Sequence, residues 1–586
     1  MNGGGQALKC FTTPSRVLAP RRHLPYTGNM PDPTDSQTST LPDTSSPKSQ
    51  IQNLKSPGRL LLLALLLGLA VDFLFYNKAL GLSFPIFIGL CVVVLLVQSF
   101  LERVRPAISS LWLAVPMLGL AYMVFVRAEP LTTFVNVSVA LALGVLWARS
   151  FNNGQLLRFG LLDIGINYLL AGLESFIRPW SVLVASGKQV ASTEGRRQIL
   201  LPIVRGLILA APILCVFTFL LTSADLIFAD RFQELLKALR LDNIPELIAR
   251  LILIGLVAFI AIGLLVQALR PRLYTLVGAE RDLFPRVIGL IESGIVLGGL
   301  NLLFAAFVAI QFRYLFGGVE NIVETSYTYS DYARHGFGEL TLVVFFSLLI
   351  LLALSAIVRR DTPQTILTFN LLNLIMVALV GVVVVSALQR LLLYEEIYGF
   401  TRLRTYAHVA IIWLGALFGP YLIALVAGRL RWFAPGALCV VVGFAATLNG
   451  LNVDAFIARQ NMSRQGRGND LHTRYLITLS DDVLPELIKL FQRQDVEVNS
   501  ILGPGLACRA EQLATDYGQA GWQSTQQSHQ AAYDSLRSLA GLSRYRIIHH
   551  PYGDFVYVGD ERITCEELTQ GFVLEPGLTS EYRDAP

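Results

Sequence analysis

Two polar stretches of this chain hold the residue types that do chemistry. One contains Tyr327, Tyr329, Asp331, Tyr332, Arg334, His335 and Glu339. The other contains Arg390, Tyr394, Glu395, Glu396, Tyr398, Arg402, Arg404, Tyr406 and His408. Arginine forks take carboxylate or phosphate bidentately, so these sets suit an anionic small molecule or lipid headgroup. If the two stretches meet, they form a polar pocket. The competing reading is an aromatic belt with surface ion pairs, which contribute little. Glu292, early in a long apolar run, is a third candidate, because an ionisable group inside a membrane is costly. It could relay a proton or bind a cation, or Arg286 and nearby headgroups could satisfy it at the interface.

The other candidates are weaker. Asn370 and Asn373 share one helix face, and with Asn301 and Gln311 they read first as interhelical hydrogen-bonding groups. Asp72 reads as reaching interfacial water, and Asp225 as a helix-end or turn residue. His549 and His550 are adjacent, so on a strand they point to opposite faces and make a poor metal pair. Of six cysteines, Cys91, Cys215 and Cys439 lie in apolar runs. Spacing leaves open whether Cys508 and Cys565 pair. No zinc spacing and no G-x-x-x-x-G-K, H-E-x-x-H or G-x-S-x-G motif occurs, so no metal or cofactor is predicted.

The elements that must position these groups are membrane helices. The chain is 53% hydrophobic and 15% charged, with mean hydropathy +0.54; soluble domains carry roughly 25% charge. Roughly 20 apolar residues cross the hydrocarbon as a helix. Eleven such runs are predicted: Leu60–Tyr76, Leu82–Leu101, Ala107–Val126, Leu131–Trp147, Ile203–Thr222, Arg250–Arg270, Val287–Ile310, Glu339–Arg359, Ile366–Leu388, Val409–Leu425 and Trp432–Leu448. Pro435 and Gly436 interrupt the last. The fold class is therefore an all-α polytopic membrane bundle with a small C-terminal α+β domain. Residues 1–59 read as a disordered tail, with Met30 a candidate start, and 60–148 as the first four spans. Residues 149–198 read as an interfacial amphipathic segment, 199–449 as the remaining spans, and 450–586 as the polar domain. In that domain Asp481–Gln494 and Glu511–Leu539 read as helices, and Tyr545–Ile563 as a hairpin. Arg103, Arg105, Arg196, Arg197, Arg270, Arg272, Arg359, Arg360, Arg429 and Arg431 fall in loops of one parity. That bias puts the N-terminus in the cytoplasm and, with eleven spans, the C-terminal domain outside. The lipid bilayer is the expected partner. The net charge of +5 comes with no basic block, which argues against nucleic acid.

Several segments carry a family resemblance: Gly450–Asn461 (GLNVDAFIARQN) with Tyr475–Leu487 (YLITLSDDVLPEL), Ser326–Leu340, Leu388–His408 and Leu300–Gly318. They resemble a bacterial membrane family known as a domain of unknown function (numbered 4153 and 4173). The resemblance implies a multi-pass protein of a bacterial inner membrane and no activity, so it assigns no catalytic residue. Three functions stand open. The first is a transporter-like protein using Glu292, the Asn pair and the polar loops. The second is an envelope sensor or scaffold whose extracytoplasmic domain binds a protein partner. The third is a membrane enzyme acting on lipid or glycan at the outer-face loops.

Overall fold

The computed structural model describes residues 57–152, 244–269, 286–316, 337–465, 471–519, 521–551, 553–558 and 561–570, with parts of 154–232. Long apolar runs become helices because backbone groups in lipid must pair internally. These are α1 (Pro57–Phe75), α2 (Ser83–Glu102), α3 (Ile108–Val126), α4 (Pro130–Ser150), α5 (Ile244–Leu269), α6 (Leu290–Phe316), α7 (Phe337–Ile357) and α8 (Pro363–Tyr398). Then follow α9 (Arg402–Ala416) and α10 (Phe418–Val426), which together make one span, and α11 (Phe433–Leu451). Among the described residues ten spans are long and apolar enough to cross a membrane. They match ten of the eleven expected runs, including the last; the Ile203–Thr222 run falls largely outside the described residues, as do the N-terminal tail and most of the expected interfacial segment.

Two apolar clusters hold the spans. One joins α1–α5 through Leu60, Phe84, Leu113, Leu143 and Val266, and Ala445 of α11 packs into it. The other joins α6–α11 through Leu297, Leu351, Met376, Ile411 and Phe433. The polar groups inside are paired across helices. Asn136 of α4 and Asn449 of α11 exchange side-chain hydrogen bonds of 3.0 and 2.7 Å. The Tyr421 hydroxyl donates to Asn373 at 2.5 Å and lies 2.9 Å from Ser355. Asn301 donates to the Leu372 carbonyl at 3.0 Å, and Gln311 accepts from Ser386 and Arg390. Asp72, expected at interfacial water, is instead buried against α5, where Arg250 holds it bidentately at 2.9 and 2.7 Å. Asp225 caps a local turn, accepting from the Ile227 amide at 2.8 Å.

One expected loop is helix. α8 runs 36 residues, roughly 54 Å at the usual rise, against roughly 30 Å of hydrocarbon. Residues 389–398 contain no Gly or Pro, so the helix continues beyond the apolar run until Gly399, at φ 79°, ends it. Residues 399–401 are all that separates it from α9.

The C-terminal domain comprises α12 (Val453–Gln465), α13 (Thr473–Ile477), α14 (Leu484–Phe491), α15 (Val496–Gln519), α16 (Gln527–Arg537) and α17 (Cys565–Gln570). A three-stranded antiparallel sheet joins them, β1 (Ile548–His550), β2 (Gly553–Val558) and β3 (Glu561–Thr564), in the order β1-β2-β3. Its core is Leu476, Leu487, Leu502, Leu506, Val556 and Ile563. Cys508 and Cys565, 57 residues apart, form a disulfide between α15 and α17.

α1 and α5 approach each other closely. A Cβ at Gly68 would stand 2.4 Å from the Ile254 backbone oxygen, which cannot rotate away. Gly68→Ala should therefore destabilise the bundle by about 1–3 kcal/mol, read as a lowered thermal midpoint of the purified protein in detergent. Gly119→Ala, where a Cβ meets open space, should leave it unchanged.

Candidate functional site

Among the described residues the densest group of buried charges lies at the junction of the C-terminal domain with one end of the bundle, the capped end. α4 starts there. Its first N–H groups have no helical partners, and the Glu129 carboxylate accepts from Leu131 and Thr132 at 3.1 and 2.6 Å. The C-terminal domain supplies the neighbouring acids. Asp482 accepts from the Ala128 and Glu129 amides at 2.9 and 3.0 Å and from the Ser528 hydroxyl at 2.5 Å. Asp454, at the start of α12, takes the Arg402 fork at 2.9 and 2.6 Å and the Ser480 amide at 2.7 Å. Asp481 takes Arg509 at 2.9 Å and pairs with the His529 imidazole. Arg127 lies 3.6 Å from Asp482 and donates to the Asn449 carbonyl at 2.6 Å.

Glu129, Asp454, Asp481 and Asp482 are all buried. Four carboxylates face three guanidiniums, those of Arg127, Arg402 and Arg509, which leaves one negative charge for the proton of His529 to balance. Burial disfavours the His529 imidazolium. The hydrogen bond to Asp481 and the charges of Asp481, Asp482 and Asp516 more than offset this, so its pKa stands above the ordinary 6.5. Burial pulls the Arg509 guanidinium below its usual range, against the pull of Asp481.

The expected pocket residues are placed as follows. Tyr329, Asp331, Tyr332 and Arg334 lie outside the described residues. Glu339 is in the first turn of α7. Glu292 is exposed in the first turn of α6. That end of α6 adjoins the C-terminus of α7 through the Ile288–Val358 bridge, whereas Gln311, further along α6, meets Arg390. Glu292 is therefore at the opposite end of the bundle from Arg390, Glu395, Arg402 and His408. Tyr394 and Tyr398 pack with tilted rings, centroids 4.8 Å apart, and the Arg404 guanidinium lies 4.3 Å from the Tyr394 ring. Arg404 also donates to the Tyr398 and Gly399 carbonyls. Glu395 is 1% exposed, neither carboxylate oxygen makes a hydrogen bond, and His408 Nδ1 is 3.4 Å away. Of the described residues in that set, Arg402 is the one that pairs with carboxylates of the ionic junction. The segments containing Asp454, Asp481 and Asp482 carried the family resemblance, yet nothing in their spacing marked them as partners of Arg402 and Glu129.

Three recesses open on the C-terminal domain among the described residues, the smallest, of about 440 Å³, beside Arg474, Tyr475 and Glu567. A groove of about 1200 Å³ is lined by Ile488, Lys489, Phe491, Ser535, Arg544 and Tyr545 among others. A cleft of about 710 Å³ lies where residues 77–79, after α1, meet Asp516, Trp522 and His529. His549 pairs with Asp554 at 2.8 Å on the exposed sheet, which raises its pKa above the usual value. Among the described residues no group of three or more His, Cys, Asp or Glu side chains could hold a metal.

Ten long apolar helices capped by a small mixed domain are the architecture of a multi-pass membrane protein. The chain belongs to the family described as a domain of unknown function (DUF4153), whose model matches residues 114–490. The match takes in Glu129, Arg402, Asp454, Asp481 and Asp482, and ends before Arg509 and His529. No curated protein and no solved structure matches the chain significantly.

Removing one partner of a buried ion pair leaves the other uncompensated. Asp454→Asn should destabilise the junction by about 3 kcal/mol, the low end of that range because Arg402 keeps some solvent contact. Limited proteolysis should then cut between α11 and α12 well before the spans unfold. The folded protein holds the His529 proton to higher pH than the unfolded chain does. Its stabilisation is thus complete below about pH 6 and is lost as pH rises through the raised value. The thermal midpoint should fall as the buffer is taken from about pH 6 to about pH 8, and His529→Gln should flatten that dependence.

Proposed function

We propose that this chain is an envelope sensor or scaffold: a membrane bundle that presents its C-terminal domain to a partner outside the cytoplasm. The observation that carries the reading is the ionic junction. It fixes the C-terminal domain to the ends of α3, α4, α9 and α11 and leaves the wall containing Lys489, Arg544 and Tyr545 open. A domain held that firmly, with an open groove on it, is suited to displaying a surface. The groove has no carboxylate in its lining and two cationic side chains, Arg544 and Lys489, the latter also 3.2 Å from Glu486, which suits an acidic partner.

The orientation has two supports. A Cys508–Cys565 disulfide persists in oxidising compartments. The opposite end of the bundle carries Arg103, Arg105, Arg286, Arg359, Arg360, Arg429 and Arg431 between its helices, the bias expected of a cytoplasmic face. Ser150 and Ile244 stand at opposite ends, because Arg149 near the end of α4 meets Gln267 near the end of α5. That placement agrees with the eleven-run expectation from the sequence, in which Ile203–Thr222 supplies one crossing. In the bacterial inner membrane that the family resemblance implies, the capped end then faces the periplasm.

A transporter-like reading draws on one observation, the buried Glu395 carboxylate beside His408. The two readings separate in a complementation assay with Lys489→Cys. A bulky membrane-impermeant maleimide should label that position in intact cells and abolish complementation, while Glu395→Gln and Glu292→Gln keep it. Labelling only after lysis would overturn the orientation. Loss of complementation with Glu395→Gln, at normal expression and with the labelled protein still active, would favour transport.

A further inference from the structure

The cleft between the α1–α2 connection and the C-terminal domain has the features of a ligand site at the bilayer boundary. Its walls are fixed: the Leu82 amide donates to the Thr525 carbonyl at 2.9 Å, and a Cβ at Gly81 would meet the Ser524 and Thr525 carbonyls at 2.6 Å. The lining includes Lys78, Asp516, Trp522, Gln526 and His529. Among the described residues Lys78 makes no salt bridge; its ammonium donates to the Phe73 carbonyl and lies 4.9 Å from the Phe73 ring. Asp516 likewise has no salt-bridge partner among them. Lys78, without a salt bridge, and Asp516, whose charge also acts on the His529 ring, thus share one recess of about 710 Å³, a pattern complementary to a zwitterion. In its protonated form the His529 ring gives Nδ1–H to Asp481 and keeps Nε2–H as a second donor.

The position of the cleft selects the zwitterion's source. Phe73, 56% exposed, packs on Trp522, 50% exposed, with centroids 6.2 Å apart. Below Phe73, α1 shows Leu62, Leu65, Leu66 and Leu69 on its exposed surface, a strip that repeats at helical spacing toward the cleft. Aromatic side chains of this kind mark the headgroup level, with acyl chains lying along the apolar surface beneath. We propose that this cleft binds the headgroup of an aminophospholipid from the leaflet bordering the capped end. The phosphate meets Lys78 and the His529 Nε2–H, the primary ammonium meets the Asp516 carboxylate, and one acyl chain lies along the exposed strip of α1. The assignment does not depend on which compartment that leaflet faces.

The test is native mass spectrometry of the full chain in detergent, titrated with phosphatidylethanolamine, phosphatidylcholine and phosphatidylglycerol of matched chains. A primary ammonium can donate charge-assisted hydrogen bonds to Asp516, which neither of the other headgroups offers, so phosphatidylethanolamine should be retained about ten-fold better. Asp516→Asn should erase that preference, and Lys78→Gln should lower retention of all three lipids. Lys489→Gln, in the separate groove, should change neither. Equal retention of the three lipids by the unaltered protein would overturn the proposal, and so would an undiminished preference in Asp516→Asn. Glycerophosphoethanolamine, which lacks acyl chains, should fail to compete at equal concentration; full competition would assign the cleft to a soluble phosphodiester and overturn the lipid.

Discussion

An unpartnered buried carboxylate is costly, and at the capped end several of the partners lie on a different part of the chain. Glu129 and Arg127 sit between α3 and α4, Arg402 starts α9, and Asp454, Asp481 and Asp482 belong to the C-terminal domain. Each isolated charge would carry several kcal/mol of uncompensated desolvation in that setting. The arrangement that satisfies them all brings the ends of α3, α4, α9 and α11 together with the C-terminal domain in one register. Apolar packing of Val453, Ile457, Leu448 and Tyr406 adds area to the contact, but area alone tolerates sliding. The ion pairs and the Asp482 bonds to the Ala128 and Glu129 amides do not.

The same logic operates inside the bundle with neutral groups. Lipid offers no competing hydrogen bonds, so amides and hydroxyls on the spans pair across helix contacts. Asn136 with Asn449 ties the first cluster of spans to α11, and Asn373, Tyr421 and Ser355 tie α7, α8 and α10 together. Such pairs choose rotation and height for helices whose apolar faces differ little from one another. They lie along the two apolar clusters, so the bundle and its cap are specified by polar contacts set into apolar packing.

The spans were legible in the sequence because a bilayer imposes a length that a run of apolar residues reveals one segment at a time. The ends of helices were less legible. Residues 389–398 are polar enough to resemble a loop, yet they continue α8, since nothing before Gly399 interrupts the backbone. In the C-terminal domain Gly503, Pro504 and Gly505 look like a break, but α15 passes straight through them. A side chain at Gly503 would strike the Tyr545 ring, so the small residue serves packing. The partners of the polar groups were least legible of all. Asp72 and Arg250 are 178 residues apart, and Arg127 reaches a carbonyl 322 residues away. No period or short motif encodes such pairings; only the folded arrangement shows which charge answers which. The acidic residues of the junction were visible as residue types within segments of family resemblance, and invisible as a site.

A junction of this kind also sets what the molecule can transmit. The C-terminal domain holds α3, α4, α9 and α11 by their ends, and these helices belong to both apolar clusters of the bundle. A change at the groove beyond α14 reaches α12 and Asp454 through the Arg459–Glu486 contact, and Asp454 in turn holds Arg402 at the start of α9. Two steps of direct contact therefore connect an exposed surface to a transmembrane helix. Because the pair at the inner step is buried and the contact at the outer step is exposed, the chain is stiff next to the membrane and yielding toward solvent. That gradient lets the exposed face of the domain yield while its base keeps the spans in place.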